Sequence, residues 1–321
     1  MSTAERPVSS TAILLGGGVR EALMAQSVVR TCEGATVFAS VDAMGTLLGL
    51  ASVGRTVVFD ASPAEPLTIF RRLRTEPIST IVVPFPGGFI HAALAYFSAI
   101  PRRLIVPGPN DWAATERLPR INGEHPVEAN WRLAVAAINR PTRMPADPPR
   151  LQPPVSVRNA AMSRWPGLFG TGRPPLVLVP GGGGWSAAHN GPLWPAERFA
   201  VVANQAAAER IVLVSGVGDD RAARETRAGI VKPTTIIKLT DLTVEELAAV
   251  SELSVAVVGH DSDGLHVAAA AGAQVIAVAR RSDLPPKGER VVTCWVDDYD
   301  RFPARQVTEV LSRQARVDTY A

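Results

Sequence analysis

Short runs of consecutive apolar residues alternate along the chain with longer segments that are apolar on one face only. Leu176–Val179 and residues 275–278 are apolar at every position, which is typical of strands buried on both faces of a parallel sheet. The segments between such runs have helical spacing and often follow Gly, Pro, Ser or Thr. This alternation predicts an α/β protein built from repeated strand–helix units.

The predicted elements fall into two similar series. Thr243 followed by Glu246 is a capping box and predicts the start of one helix. The predicted strands cover residues 12–15, 36–40, 56–60, 80–84, 102–106, 176–179, 211–216, 236–239, 255–258 and 275–278. The predicted helices cover residues 19–32, 63–75, 92–99, 157–165, 244–251, 264–272 and 304–316, with further helix starts at His125 and near Pro195.

Prolines crowd the middle of the chain and predict a domain boundary there. The resulting division has five parts. They are a disordered tail (1–10), a first Rossmann-like domain (11–150), a Pro-rich linker (151–174), a second Rossmann-like domain (175–302), and a C-terminal helix and tail (303–321).

The composition is that of a globular protein, since 46% of the 321 residues are apolar and 20% are charged. A net charge of +3 without a basic run does not point to nucleic acid. The chain lacks a signal peptide pattern and an apolar run long enough to span a membrane. Cys32 and Cys294 are far apart and lack metal-ligand spacing. We therefore expect a cytoplasmic protein with no metal site.

A polar turn, residues 259–266, joins the strand at 255–258 to an Ala-rich helix. Open parallel sheets bind ligands at the carboxyl ends of their strands, and a helix that begins there offers free N–H groups to a phosphate. The alternative is an ordinary βα turn in which Asp261 and Ser262 only cap the helix. By itself this stretch leaves both interpretations open.

The first strand runs into Gly16, Gly17 and Gly18, the beginning of a dinucleotide-binding fingerprint. Asp42, after the second strand, would then bind the ribose of NAD or FAD. However, Glu21 occupies the third glycine position, where its carboxylate would repel a pyrophosphate. Glu21 is instead a candidate general base at the mouth of this turn, or simply an acidic residue that complements the helix dipole.

Four glycines, residues 181–184, follow the strand at 176–179. Such a turn lets backbone N–H groups approach a ligand closely, although a flexible loop would look the same. The turn lacks the Gly-Lys-Ser/Thr ending of a P-loop, which disfavours ATP hydrolysis. Asp219 and Asp220 follow the next strand and are candidate ribose ligands.

Four stretches, in the right order, resemble glycosyltransferase family 9, the ADP-heptose:lipopolysaccharide heptosyltransferases and their relatives. Residues 259–266 are similar to the family's Gly-Asn-Asp-Ser-Gly-Pro-x-His turn, and residues 180–199 to its Pro-Gly…Trp-Pro-x-x-x-Phe segment. Residues 239–247 resemble the helix start Gly-x-x-x-Leu-x-Glu-Leu, and residues 18–23 resemble Leu-Gly-Asp-x-Leu. His125-x-Val127-Glu128-x-Asn130 is a weaker match.

The resemblance implies a GT-B architecture, with two Rossmann-like domains whose parallel sheets face a central cleft. It implies an inverting, metal-independent and cofactor-free transfer of a heptose-like sugar from ADP-heptose. The N-terminal domain would bind the acceptor, a glycan or small molecule, with Glu21 as the base. The implied donor-binding residues are Gly181, Gly182, Gly183, Asp219, Asp261, Ser262, Asp263, Gly264, Leu265 and His266.

The chain departs from the family pattern where charge matters most. Glu21 replaces the catalytic Asp, Arg20 the preceding Gly, and Asp263 the Gly after Asp-Ser. Pro192 replaces the Lys that would neutralise the leaving diphosphate, a role that Arg20, His189 or the helix N-terminus at Gly264 could take. Three alternatives therefore stay open: a catalytically silent nucleotide-binding protein, a nucleotide-sugar epimerase or other GT-B enzyme, and an oxidoreductase that uses the turn at Gly16–Gly18.

Overall fold

The computed structural model describes residues 10–47, 50, 52–59, 65–139, 147–169, 173–181, 193–216 and 220–317. The chain divides into two compact units, Met1–Pro149 and Arg150–Ala321. We call them unit 1 and unit 2. The Pro-rich segment that the sequence marks as a linker begins at the start of unit 2.

Unit 1 contains one five-stranded sheet in which all neighbouring strands are parallel. Its strand order, β3-β2-β1-β4-β5, is that of a Rossmann-like sheet without a sixth strand. The strands are β1 (Thr11–Leu14), β2 (Ala35–Ser40), β3 (Val53–Phe59), β4 (Thr80–Val83) and β5 (Arg102–Ile105). The helices are α1 (Val19–Met24), α2 (Gln26–Thr31), α3 (Val41–Leu47), α4 (Glu65–Thr75), α5 (Phe89–Phe97), a 3₁₀ helix (Asp111–Ala113) and α6 (Pro126–Ala137).

Unit 2 contains a six-stranded parallel sheet in the order β11-β10-β9-β6-β7-β8, which is the Rossmann order. The strands are β6 (Leu176–Val179), β7 (Arg210–Ser215), β8 (Thr235–Thr240), β9 (Ala256–His260), β10 (Val275–Arg280) and β11 (Val291–Val296). The helices are α7 (Val155–Arg164), α8 (Pro166–Phe169), α9 (Ala196–Gln205), α10 (Asp220–Ala228), α11 (Val244–Glu252), α12 (Asp263–Ala270) and α13 (Ala304–Val317).

Each unit buries its own apolar core against its own sheet. In unit 1, alternate residues of the strands point to opposite faces: Ile13 and Val37 join one cluster, and Leu14 and Phe38 the other. In unit 2, one cluster joins β6, β7, β9 and β10 to α9 and α13, with Trp194 fully buried against Phe199. Both sheets are therefore covered by helices, as the wholly apolar strands predict.

Each sheet has a point where the strand order reverses, and ligands of such sheets bind beside it. In unit 1 it lies between β1 and β4, and in unit 2 between β6 and β9. The turns that follow these four strands are therefore the places to look for a site.

The predicted α/β class, parallel sheets and ten predicted strands are confirmed, with ends shifted by a few residues. The capping box at Thr243 forms, with Glu246 N–H donating to Thr243 Oγ1 over 3.1 Å. The helix predicted over 19–32 divides at Ala25 into α1 and α2. The prediction missed α3, α8, α10, β11 and the short 3₁₀ helix. Helix α10 is mostly polar, whereas β11 is apolar at five of its six positions and was missed although its sequence favours a strand.

The expected linker contains α7, which packs on α11 of the same unit. Two ion pairs accompany this contact, Arg158–Glu252 at 3.1 Å and Arg164–Glu246 at 2.9 Å. The expected disordered tail, residues 1–10, falls outside the described residues except for Ser10. No helix in the described ranges has the length and apolar character that crossing a membrane requires.

Candidate functional site

The ligand-binding edge of unit 2 is formed by the turns after β6 and β9. These strands pair directly, with Val179 opposite Gly259. Gly181 follows β6, and Asp261 and Ser262 follow β9, so the structure brings these predicted residues to one edge. Gly182, Gly183 and His189 were also predicted there, as was Asp219 after β7, but all four lie outside the described residues.

The helix α12 begins at this edge and packs closely on the sheet. A Cβ on Gly264 would lie 3.3 Å from the Val179 side chain, and one on Gly259 would collide with Leu265. The two glycines therefore let the first turn of α12 approach β6. The N–H groups at the start of α12 and the positive end of its dipole make this edge a candidate anion site.

Ser262 is the N-cap of α12, yet its hydroxyl makes no cap hydrogen bond. The side chain is buried, with only 2% of the residue exposed. Ser262 Oγ has no hydrogen-bond partner among the described residues. A buried hydroxyl without a partner costs about 1–3 kcal/mol. Such a group needs an explanation, and a bound ligand oxygen is one.

Asp261 and His266 are buried and connected to the loop after β10. The carbonyl of Leu284 lies 3.0 Å from His266 Nε2, while Leu284 N–H donates to Asp261 Oδ2 over 3.1 Å. His266 Nε2 also lies 3.4 Å from Asp261 Oδ1. These contacts hold the turn after β9 in place. Asp263 begins α12, and Leu265 is buried under it.

Two pairs of opposite charge stand near the same edge. At the end of β7, Asp220 Oδ1 accepts a hydrogen bond of 2.7 Å from Lys238, which lowers the pKa of Asp220. At the end of β10, Arg280 pairs with Asp283 at 2.8 Å, and Tyr299 donates to Asp283 over 2.5 Å. Sequence reasoning missed Lys238, which reaches Asp220 only because β8 pairs with β7. It also missed Arg280 and Asp283, which form a local pair three residues apart.

In unit 1, Glu21 folds back onto the start of its own helix. Its Oε2 accepts a hydrogen bond of 3.0 Å from Gly18 N–H, and its Oε1 accepts bonds of 3.0 and 2.9 Å from Arg20. Gly17 has a φ of +90°, and a Cβ there would lie 2.7 Å from Glu21 Cγ. The carboxylate thus takes the amide that a dinucleotide pyrophosphate would need, which disfavours the oxidoreductase alternative. Arg20 directs its guanidinium to Glu21.

Asn130 ties together the two turns at the ligand edge of unit 1. The residue is fully buried. Its amide donates to the Met24 carbonyl over 3.0 Å, at the end of α1, and its oxygen accepts from Phe85 N–H over 2.8 Å, after β4. The helix α6 therefore fixes the chain segments on either side of the reversal point. His125 caps this helix, with Nδ1 accepting from Val127 N–H over 3.2 Å.

His91 is a residue of this edge that sequence reasoning missed. It lies in the first turn of α5, directly after the turn that follows β4. A Cβ on Gly16 would lie 3.0 Å from both Cε1 and Nδ1 of the imidazole. Its only sequence signal is a polar residue in the first turn of a helix after a buried strand.

The comparisons with known proteins agree with this arrangement. The model of glycosyltransferase family 9 (heptosyltransferase) matches residues 68–313. Because the match covers most of the chain, the chain belongs to glycosyltransferase family 9. No curated protein matches it in sequence.

Several solved structures share the fold at low sequence identity. One is ADP-heptose lps heptosyltransferase II of E. coli, with a TM-score of 0.77, 18% identity, and coverage of 96% of this chain and 99% of that chain. Another is the glycosyl transferase family 9 protein of Veillonella parvula, with a TM-score of 0.78, 14% identity, and coverage of 95% and 96%. E. coli heptosyltransferase WaaC with ADP has a TM-score of 0.70, 13% identity, and coverage of 95% and 99%.

These findings establish two of the predictions made from the sequence. The fold is the GT-B type, with two Rossmann-like units, and the protein is a glycosyltransferase of family 9. The oxidoreductase and silent-protein alternatives therefore lose their support. The donor, the acceptor and the roles of single residues are matters of proposal.

Proposed function

We propose that this glycosyltransferase moves a heptose-like sugar from ADP-heptose to a hydroxyl of a glycan or small-molecule acceptor, with inversion and without a metal ion. The observation that carries the proposal is the buried hydroxyl of Ser262 at the start of α12, which has no hydrogen-bond partner in the part of the chain that the structure describes. It stands at the strand-order reversal of unit 2, where such sheets bind nucleotides. The similarity to a heptosyltransferase structure with ADP supports the choice of nucleotide.

In this proposal unit 2 holds the donor. The diphosphate binds to Ser262 Oγ and to the first N–H groups of α12, close to Gly264 and Gly181. The dipole of α12 stabilises the charge that develops on the leaving diphosphate, a role that the family Lys would have at Pro192. The carboxylates of Asp261 and Asp263 carry the same sign as the diphosphate, so we assign Asp261 to holding the turn and leave the phosphate to N–H and O–H donors.

Unit 1 supplies the acceptor side of the reaction. The acceptor hydroxyl binds at the glycine turn after β1, beside Glu21, and a base at this edge removes its proton as the oxygen attacks the anomeric carbon. Attack on the face opposite the diphosphate inverts the configuration.

Both cysteines are unpaired, and burial raises the pKa of the Cys32 thiol to about 12. An unreactive, unpaired thiol supports placing the reaction in the cytoplasm.

Thermal unfolding with ADP, UDP, GDP, ADP-heptose, NAD and FAD tests the donor assignment. A ligand that binds the folded state raises the melting temperature by mass action. We expect stabilisation by ADP and more by ADP-heptose. Stabilisation by NAD or FAD alone, or by no nucleotide, would contradict the proposal. Transfer assayed with EDTA tests the metal-free step, since loss of activity there would refute it.

Two N-cap variants locate the phosphate. Ser262→Ala removes no hydrogen bond within the described residues and relieves a buried unpaired hydroxyl, so stability without ligand should stay the same or rise, by at most about 1–3 kcal/mol. ADP binding should weaken about 10- to 100-fold, because a hydrogen bond to a charged group contributes about 1.5–3 kcal/mol. Thr243→Ala is the matched control, since it removes a formed cap. It should lower the melting temperature by about 2–4 °C and leave ADP affinity unchanged.

A further inference from the structure

The two turns that flank the strand-order reversal of unit 1 meet at one side chain, that of His91. Its ring lies directly on the backbone of Gly16, at the end of β1, while its own helix follows β4. A Cβ on Gly88 would also lie 3.4 Å from His91 Nδ1. The imidazole is therefore fixed between two glycines at the edge where this sheet type binds ligands.

His91 is mostly buried but keeps its hydrogen-bonding capacity. Within the described ranges neither of its ring nitrogens makes a hydrogen bond. Burial lowers the pKa of His91 below its usual 6.5, so the ring is neutral at pH 7. A neutral imidazole has one nitrogen that can accept a proton.

The charged residues around His91 do not account for its lowered pKa, which burial causes. The elements packed against α5 are α4, β4, β5 and the 3₁₀ helix, and α1 lies beyond Gly16. Their charged residues are Glu65, Arg71, Arg72, Arg74, Arg102, Arg103, Asp111, Arg20 and Glu21.

Glu21, the carboxylate expected to be the base, is already engaged in hydrogen bonds with its own chain segment. Both of its oxygens already accept hydrogen bonds, one from Gly18 and the other from Arg20. Three of the roughly four acceptor positions of a carboxylate are thus in use. Glu21 keeps one acceptor position for a hydrogen bond from an acceptor molecule, whereas the neutral ring of His91 offers a nitrogen lone pair that accepts no hydrogen bond within the described residues.

We propose that His91 is the catalytic base of the transfer reaction, an inference that rests on the proposed function. The acceptor hydroxyl gives its proton to the imidazole as its oxygen bonds to the anomeric carbon. The bond from that carbon to the diphosphate breaks, the nucleoside diphosphate leaves with the electron pair, and the imidazolium later releases its proton to water. Glu21 keeps a catalytic role as a ligand for a hydroxyl of the acceptor.

ADP-heptose with water as the acceptor provides a defined assay, measured as ADP release by the whole protein. His91→Gln should lower kcat about 100-fold or more, because a general base contributes about 10²–10⁴. ADP-induced thermal stabilisation should stay at the wild-type level, which shows that unit 2 is intact. His125→Asn is the matched control: it replaces a histidine that caps α6 with another good N-cap residue and should leave kcat unchanged.

The pH profile separates a base from a structural residue. In the wild type, kcat/KM should fall as the pH drops through the pKa of His91, below 6.5, because only the neutral ring accepts a proton. This acid limb should disappear in His91→Gln and persist in Glu21→Gln. An acid limb lost in Glu21→Gln but kept in His91→Gln would overturn the inference while leaving the proposed function intact.

Gly16→Ala provides a second test that keeps the imidazole. Its Cβ would lie 3.0 Å from the His91 ring and must displace it, and Gly16 itself has no positive φ that would strain alanine. We expect a loss of at least 10-fold in kcat, and no further loss when Gly16→Ala is added to His91→Gln. Additive losses in the double variant would contradict the inference. Absence of both ADP release and ADP binding in the wild type would refute the proposed function instead.

Discussion

Single residues decide the chemistry of both edges, and two of them were foreseen only in part. Ser262 was expected to bind phosphate because of its place in a motif, whereas its burial without a hydrogen-bond partner among the described residues is visible only in the structure. Glu21 was expected at the first turn, but its bonds to Gly18 and Arg20 depend on a turn that only glycine at position 17 permits.

Glu21→Gln tests the role of this carboxylate. Gln can keep the hydrogen bond from Gly18, so the helix start should survive, while the charge is lost. We expect kcat to fall about 10- to 100-fold, since a charge-assisted hydrogen bond contributes about 1.5–3 kcal/mol, with ADP binding unchanged. Glu246→Gln makes the same change in the capping box of α11 and should leave kcat as it is. Equal kcat values for the two variants would show that Glu21 has no role in the reaction.

At the scale of elements, α6 is the helix that sets the geometry of the unit 1 edge. Asn130 joins the end of α1 to the turn after β4 through two buried hydrogen bonds. The family resemblance included this position only as a weaker match. Its structural role could not be predicted from the sequence, because Asn130 and its partner Met24 are 106 residues apart in the chain.

Asn130→Ala should destabilise unit 1 by about 2–3 kcal/mol, because it leaves buried backbone groups of Met24 and Phe85 without partners. Asn204 is a suitable comparison: its side chain bonds to Gly229 and Val231 at the surface. There water can replace the lost bonds, so Asn204→Ala should cost about 1 kcal/mol or less. Urea unfolding measures both, and equal losses would show that Asn130 is not a special support.

At the scale of the whole molecule, each unit has its own sheet and core, and the proposed donor edge is made only of unit 2 residues. Residues 150–321 expressed alone should therefore unfold cooperatively and be stabilised by ADP as the whole chain is. Circular dichroism and thermal shift measure the two properties. If the fragment folds but is not stabilised by ADP, while the whole chain is, the nucleotide site does not lie in unit 2 alone.

The amino-acid pattern determined the elements and the class of fold. Buried parallel strands are apolar throughout, so runs such as Leu176–Val179 could be located to the residue, and the capping box at Thr243 fixed a helix start. The polar α10 was missed because it carries little apolar periodicity, whereas β11 was missed although five of its six residues are apolar. Four motif stretches in the right order, the one at 259–266 among them, were together enough to indicate the family.

Strand order, and therefore which side chains become neighbours in space, was decided only by the tertiary structure. The sequence places His91 75 residues from Gly16, yet β4 pairs with β1 and brings the imidazole onto that glycine. In the same way, Lys238 reaches Asp220 through the pairing of β7 with β8. Local patterns record the burial of a strand, whereas a site depends on which strands become neighbours, and that choice is made by the packing of the whole sheet.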